Sequence, residues 1–176
     1  GHTDWIETIV EVGEWVLTCS DDGTYKVWEQ QGCTCVKTVE ADQGELYAMA
    51  GCDGRLLTAG DDGSIKVWEV GSWALVRTLE GHTTWVNDLL VHGDRHLLSA
   101  SYDDTVRMWN RTTWECERVV QTGHTGGVKS LAVHGGKMYC GGNDDDATIR
   151  VVDTTTGASV ALMEGHTSRI NQLLVR

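Results

Sequence analysis

The sequence predicts an all-β protein in which a small four-stranded antiparallel sheet is repeated along the chain. Three observations predict this fold: similar segments return about every forty residues, apolar residues alternate in short runs typical of strands, and glycines separate these runs. The 176 residues include 21 glycines and no proline, and 40% of them are hydrophobic, which indicates a folded core with many tight turns. No segment of about 12 residues shows the apolar period of a helix.

The repeat is clearest in the segment LLSASYDDTVRMWN, which covers residues 97–110. Two closely similar segments and one looser copy cover residues 16–29, 56–69 and 138–153. The equivalent positions Trp28, Trp68, Trp109 and Val152 are separated by 40, 41 and 43 residues. A second marker, Gly-His-Thr, keeps the same interval at residues 1–3, 81–83, 123–125 and 165–167, and Asp42 stands where the missing copy would have its histidine.

Each copy has the pattern of four short strands joined by tight turns. In the third copy the strands are WVNDLLVH, RHLLSAS, TVRMWN and CERVVQT. Asp22-Gly23 and Asp62-Gly63 suit the hairpin corners of the first two copies, because glycine adopts positive φ without strain. Four strands with turns this short form an antiparallel meander.

One such sheet cannot bury both of its apolar faces, whereas sheets stacked around an axis can. The predicted fold is therefore all-β, a β-propeller of four-stranded antiparallel blades, with four blades in this chain plus one extra inner strand. The expected blades cover residues 1–41, 42–81, 82–123 and 124–165, and the fifth inner strand covers 166–176.

The Gly-His pair, the S-x-S-x-D-x-T hairpin and the tryptophan of the third strand resemble the WD-repeat family over essentially the whole chain. The resemblance implies a buried hydrogen-bonded set in each blade, made of histidine, serine or threonine, aspartate and tryptophan. The implied members are His2, Thr18, Asp22 and Trp28 in the first copy, Thr58, Asp62 and Trp68 in the second, His82, Ser99, Asp103 and Trp109 in the third, and His124 and Asp146 in the fourth.

Two copies depart from this pattern. The second has Asp42 in place of histidine, and in the fourth Cys140 replaces the hydroxyl and Val152 the tryptophan. The turn GGNDDDAT of the fourth copy is also longer by two residues. We therefore expect incomplete sets and lower rigidity in the second and fourth blades.

The resemblance also implies a recognition surface at the channel mouth, on the side of the turns between second and third strands. Carboxylates beside exposed aromatic rings suit the Lys or Arg side chains of partner proteins or peptides. The alternative is that the tryptophans only cover the ends of the first strands. The candidate partner-binding residues are Trp5, Asp21, Glu45, Asp61, Trp85, Tyr102, Asp145 and Arg169.

Catalytic and metal sites are not expected. A Ser-His-Asp trio suggests a hydrolase, but hydroxyl-His-Asp sets recur between copies and no G-x-S-x-G motif occurs. His92 and His134 hold the same turn position in two different copies, so these two histidines and His96 are expected to be turn histidines rather than metal ligands. Residues 143–148 lack the glycine and distal glutamate of a calcium loop. We therefore expect no catalytic residue, no metal and no cofactor. An enzyme that uses the carboxylates of the channel is a third functional alternative, beside a scaffold for partner proteins and a structural element.

The net charge of −12 argues against partners that are nucleic acid or anionic membrane, because both require clustered Lys and Arg. No export leader or membrane-spanning run is evident, so a cytoplasmic location is expected, with the nucleus left open. None of the cysteines forms a C-x-x-C pair, and all are expected to be free thiols in a reducing compartment: Cys19, Cys33, Cys35, Cys52, Cys116 and Cys140.

The resemblance to the WD-repeat family implies a ring of seven or eight blades, so the four blades of this chain would be half or part of such a ring. Three interpretations are open. The chain is an excerpt of a longer protein, or two copies complete a ring as a homodimer, or it is a half-ring whose bare faces associate. We expect the excerpt first and the homodimer second. The expected function is a non-catalytic scaffold for partner proteins; the alternative is a structural element that assembles with further blades and has no peptide pocket.

Overall fold

A computed structural model describes residues 1–175 of the chain, and these residues form sixteen strands in four antiparallel sheets. Each sheet uses four consecutive strands in chain order, so each is one blade. The described residues divide into two compact units, residues 1–86 and 87–175. The predicted all-β fold of four-stranded antiparallel blades is confirmed.

The first unit contains the first two sheets. The first sheet consists of β1 (Ile6–Val12), β2 (Trp15–Ser20), β3 (Thr24–Glu29) and β4 (Cys35–Glu40). The second sheet consists of β5 (Leu46–Cys52), β6 (Arg55–Gly60), β7 (Ile65–Glu69) and β8 (Leu75–Leu79).

The third sheet begins at the last residue of the first unit and otherwise belongs to the second. It consists of β9 (Val86–His92), β10 (His96–Ser101), β11 (Thr105–Asn110) and β12 (Cys116–Gln121). The fourth sheet consists of β13 (Val128–His134), β14 (Lys137–Gly142), β15 (Ile149–Asp153) and β16 (Ser159–Met163).

The two units have separate apolar cores built from the middle strands of their sheets. In the first unit Tyr25 is fully buried, and its ring meets the Trp68 ring edge-on with 5.3 Å between centroids. In the second unit Leu98 and Val106 pack with Val152 in one cluster. Each such side chain stabilises the fold by about 1.5–3 kcal/mol through burial. The middle strands therefore supply most of the buried apolar side chains of each blade.

A β-bulge interrupts the first strand in the first, second and fourth sheets. The pairing register shifts between Ile6 and Thr8, between Leu46 and Ala48, and between Val128 and Ser130. A bulge leaves one residue unpaired and turns its side chain away from the regular alternation. The bulged residues, Glu7, Tyr47 and Lys129, hold equivalent positions in their blades.

The expected fifth inner strand differs from the structure. No strand follows Met163 within residues 1–175, and Arg176 lies outside the described residues. The Ile170 amide donates to the Gly142 carbonyl over 2.9 Å, and Ile170 is buried. A strand needs a ladder of such bonds, and this segment lies against the fourth sheet without forming one.

Candidate functional site

The first blade contains the complete hydrogen-bonded set. Trp28 donates its indole N–H to the Thr18 hydroxyl over 2.9 Å, and His2 contacts the same hydroxyl with Nε2 over 2.7 Å. His2 Nδ1 lies 2.9 Å from a carboxylate oxygen of Asp22. Because Thr18 accepts from the indole, its own hydrogen can go to His2 Nε2, and a neutral imidazole satisfies every contact.

The Asp22 carboxylate also holds the hairpin turn. It accepts hydrogen bonds from the backbone and hydroxyl of Thr24 and from the Thr3 amide. Burial opposes ionisation of Asp22, but the hydrogen bonds from Thr24, Thr3 and His2 outweigh it and lower the pKa of this carboxyl.

In the second blade Gln43 takes the place that histidine has in the first, and Asp62 accepts from the amide and hydroxyl of Ser64. The Gln43 amide oxygen accepts from the Thr58 hydroxyl over 2.5 Å, and its NH₂ group donates to the Ser64 carbonyl over 2.9 Å. Trp68 donates to the same Thr58 hydroxyl over 2.9 Å. Asp42, the residue aligned with histidine, is exposed and has φ of 52°. The left-handed turn at Asp42 lets the next side chain enter the blade.

In the third blade Trp109 donates to the Ser99 hydroxyl over 2.9 Å. Asp103 accepts from the Thr105 amide and hydroxyl, which fixes its hairpin in the same way as Asp22 fixes the first. His82 belongs to the first unit, where it is buried.

The fourth blade replaces the missing hydroxyl with a backbone carbonyl. His124 Nε2 lies 3.0 Å from the Cys140 carbonyl, and Nδ1 lies 3.1 Å from an Asp146 carboxylate oxygen. The carbonyl and the carboxylate both accept, so each His124 ring nitrogen that carries a hydrogen can donate to the group it faces. Burial of the Cys140 side chain raises the pKa of its thiol to about 12. The indole and hydroxyl are absent as expected, but His124 and Asp146 remain paired.

The bulge at Tyr47 assembles an acidic–aromatic cluster in the first unit, which we define as Glu45, Tyr47, Asp61 and Trp85. The Tyr47 hydroxyl lies 2.7 Å from a Glu45 carboxylate oxygen and 2.6 Å from an Asp61 carboxylate oxygen. The rings of Tyr47 and Trp85 are 6.1 Å apart between centroids. Burial and the hydrogen bonds to Asp61 and Glu45 raise the pKa of Tyr47.

Close backbone packing fixes the two carboxylates of the cluster. The Asp61 amide donates to the Glu45 carbonyl over 3.1 Å. A Cβ at Gly60 would collide with that carbonyl, and a Cβ at Gly44 would lie 2.7 Å from the Asp61 Cβ. The two glycines thus let the turn at Asp61 and the segment at Glu45, just before β5, approach each other.

Sequence reasoning predicted Glu45, Asp61 and Trp85 but missed Tyr47, which joins them. Alternation along the strand does not predict the direction of its side chain, because the bulge breaks that alternation. The available signal was a tyrosine two residues after Glu45, beside the start of an inner strand.

The other candidate partner-binding residues lie at equivalent strand ends. Trp5 is 72% exposed, and its carbonyl accepts from the Asp21 amide over 3.0 Å. In the second unit the same backbone bond joins the Asn143 amide to the Gly127 carbonyl over 3.2 Å. Asn143 rather than Asp145 is therefore equivalent to Asp21 and Asp61, because the longer turn shifts the register.

The remaining candidates in the second unit pack around the entry to the fourth blade. Tyr102 lies so close to Gly127 that a Cβ there would come within 2.8 Å of its ring. The Arg169 amide donates to an Asp144 carboxylate oxygen over 3.0 Å, and this bond helps to lower the pKa of Asp144. Asp145 is exposed beside Gly126.

Comparison with known families decides the assignment of these blades. The family model described as "WD domain, G-beta repeat", WD40, matches residues 1–29, 33–69, 73–110 and 114–153. The chain belongs to the WD40 family. The four WD40 matches each end at the last residue of the third strand of one sheet. The second, third and fourth matches begin before the outer strand of the preceding sheet, so the sequence repeat is offset from the structural blade by one strand.

Curated relatives share this WD40 sequence over parts of their length. The DENN domain and WD repeat-containing protein SCD1 of Arabidopsis thaliana is 31% identical over 123 residues, 68% of this chain and 10% of that protein. The nuclear distribution protein PAC1 of Eremothecium gossypii is 48% identical over 40 residues, 23% of this chain and 8% of that protein. The chain therefore spans a tenth or less of the length of these relatives.

Among solved structures, the computationally designed Ika8 protein matches with a TM-score of 0.84 and 27% identity. The match covers 100% of this chain and 54% of that one. WD40 repeats generally mediate protein–protein interaction or scaffolding and are typically non-catalytic.

Two further observations concern cofactors and membranes. Within residues 1–175 no group of three or more His, Cys, Asp or Glu side chains is arranged to hold a metal ion. In the same residues no helix is long and apolar enough to cross a membrane.

Proposed function

We propose that this WD40 chain is a non-catalytic scaffold that binds a Lys- or Arg-rich segment of a partner protein at the acidic–aromatic cluster. The observation that carries the proposal is the pair of carboxylates, Glu45 and Asp61, on one phenol hydroxyl. Tyr47 has one hydroxyl hydrogen, which serves only one carboxylate at a time. A cationic side chain placed between the carboxylates would satisfy the second one and offset their repulsion.

The aromatic part of the cluster supports the same class of ligand. Trp85 is 44% exposed, and its ring lies beside that of Tyr47. A guanidinium or ammonium group over an indole face gains about 0.5–2 kcal/mol from the cation–π interaction. The net charge of −12 favours cationic peptides over nucleic acid or anionic lipid as partners.

Titration calorimetry with the decapeptide (Ala-Lys-Ala-Arg-Ala)₂ tests this function. We expect binding that weakens with salt and falls about tenfold or more in the double variant Asp61→Asn/Trp85→Ala. Asp94→Asn removes an equal charge from an exposed turn outside the cluster and is the matched control. An affinity that the double variant and the control change equally would reject the cluster as the binding site.

We also infer that this scaffold works inside the cell, in the cytoplasm or the nucleus. The support is that all six cysteines are free thiols, including the exposed Cys33 and Cys35. Thiol titration of protein isolated without reductant tests the inference: fewer than six reactive thiols after denaturation would contradict it.

A second candidate function is assembly of the blades into a larger propeller, without a peptide pocket. It is favoured by the match in which this whole chain covers 54% of a solved structure, so that structure is nearly twice as long. Loss of peptide binding in the cluster variants would support the first function. Self-association of the chain that stays unchanged in these variants would support the second.

A further inference from the structure

The inner strand of the first sheet exposes positions that the other sheets bury. Ile9, paired with Thr18, is 66% exposed, whereas Met49 and Leu131 at the equivalent register positions are each 4% exposed. Ile6 is 52% exposed, whereas the equivalent Leu46 is fully buried. Ile6 and Ile9 are therefore exposed to solvent at positions where the other sheets have buried core residues. Such exposed apolar side chains mark an uncovered interaction face.

The fourth sheet has a covered face, and the covering segment repeats the sequence of β1. Residues 167–175, TSRINQLLV, align with residues 3–11, TDWIETIVE, so that Ile170 corresponds to Ile6 and Leu173 to Ile9. Ile170 is 6% exposed, and its carbonyl accepts from the Ser130 hydroxyl over 2.8 Å.

A similar contact, shifted by one residue, joins the first two blades. There Thr8, which is equivalent to Ser130, donates its hydroxyl over 3.1 Å to the carbonyl of Tyr47, the β5 residue that aligns with Asn171. Residues 166–175 thus occupy, on the fourth sheet, the place that the inner strand of a following blade occupies on the first sheet.

We propose that the first-sheet face carrying Ile6 and Ile9 docks on the fourth sheet of a second copy of this chain, by displacing residues 166–175 of that copy. Ile6 of one copy would then replace Ile170 of the other. Two copies related by a two-fold axis would make two equal contacts and form a closed dimer. The proposal rests on the assembly function and is independent of peptide binding.

Charge complementarity supports a second copy as the occupant. Glu7 of the docking copy would take the place of Asn171, next to the residue whose carbonyl accepts from Ser130. Lys129, the bulged residue of the fourth sheet, precedes Ser130. The contact would therefore bring a carboxylate of one copy towards an ammonium group of the other.

Hydrogen exchange on the unmodified chain tests the displacement. As the concentration rises from about 1 to about 100 µM, exchange in residues 166–175 should become faster while exchange in β1 becomes slower, because dimerisation frees one segment and covers the other. Unchanged or slower exchange in residues 166–175 on association would overturn the proposal.

Sedimentation of full-length variants tests the surfaces. Ile170→Asp weakens the covering segment and should strengthen dimerisation about tenfold, and adding Ile9→Glu should return the chain to a monomer. Leu75→Glu, at an exposed apolar residue of the outer strand β8, is the matched control and should leave the dimer unchanged. A monomeric Ile170→Asp variant, or equal effects of Ile9→Glu and Leu75→Glu, would overturn the proposal.

Exchanging the charges of Glu7 and Lys129 tests the dimer contact without weakening the packing of residues 166–175. Glu7→Lys alone should weaken the dimer by repulsion from Lys129, and the double variant Glu7→Lys/Lys129→Glu should restore it. Failure of the second change to restore association would contradict the proposed pairing. Peptide affinity of the same variants is measured separately, so failure of assembly leaves the peptide-binding proposal intact.

Discussion

The Trp68 indole N–H donates to the Thr58 hydroxyl over 2.9 Å, and both residues are buried in the second blade. The same hydroxyl donates to the Gln43 amide oxygen. The Thr58 hydroxyl therefore satisfies two buried polar groups, the Trp68 indole and the Gln43 amide. It links the segment before β5 to β7, the third strand of the blade.

Replacing Thr58 by valine should destabilise the first unit. The change preserves the shape of the side chain but leaves the indole N–H of Trp68 and the Gln43 oxygen buried without this partner. We expect the free energy of unfolding in urea to fall by about 2–4 kcal/mol. Thr38→Val, at an exposed hydroxyl, is the control and should cost less than about 0.5 kcal/mol. Equal losses in both variants would argue against a buried network.

Gln43 should matter more than the residue aligned with histidine. Gln43→Leu keeps the volume but removes the bonds to Thr58 and Ser64, so we expect a loss of about 2–3 kcal/mol in the free energy of unfolding. Asp42→Asn, which keeps a residue tolerant of the left-handed turn, should change little. Thermal and urea unfolding of the two variants decide the point, and a larger loss for Asp42→Asn would contradict the role of Gln43.

The sequence predicts the blade but not every member of its network. The spacing of Trp28, Trp68 and Trp109 predicts the third strands, because the indole needs a hydroxyl on the neighbouring strand and this constraint repeats with the blade. The alignment does not predict Gln43, because it follows Asp42, the residue aligned with histidine, and contacts the Thr58 hydroxyl from that next position.

The strand ends and turns of the blades are harder to predict from sequence than the buried interior. Tyr47 points to the carboxylates because of a bulge, and Asn143 takes the place expected for Asp145 because the turn is longer. Both depend on backbone register, which apolar alternation specifies poorly at strand ends. The predicted carboxylates Glu45 and Asp61 nevertheless share one phenol in the structure.

Stability should fall in acid. The pKa values of Asp22 and Asp146 are lowered in the folded chain, and hydrogen bonds from Asn110 and Arg95 lower that of Glu117 to about 2. A carboxyl with a lower pKa in the folded state binds protons more readily when unfolded. Its stabilisation is therefore present above the unfolded pKa and is lost as pH falls through the folded value. We expect the free energy of unfolding to decrease progressively from about pH 5 to about pH 2.

Asp22→Asn tests the origin of this acid dependence. The amide keeps an acceptor for the turn but cannot ionise, so the variant should be less stable at neutral pH and should lose less on acidification. Asp94→Asn, in an exposed turn, serves as the control. Urea unfolding at several pH values gives the slopes, and an unchanged slope for Asp22→Asn would contradict the assignment.

The thiols should separate into fast and slow classes. Burial raises the pKa of Cys19 and of Cys140 to about 12, so these thiols stay protonated at pH 8 and react slowly. Cys33 and Cys35 are exposed. With iodoacetamide, mass spectrometry should therefore find rapid alkylation at the two exposed cysteines and at Cys19 and Cys140 only after unfolding. Cys33→Ser/Cys35→Ser should remove the fast phase, and rapid alkylation of Cys19 in the folded chain would show that the first blade opens to solvent.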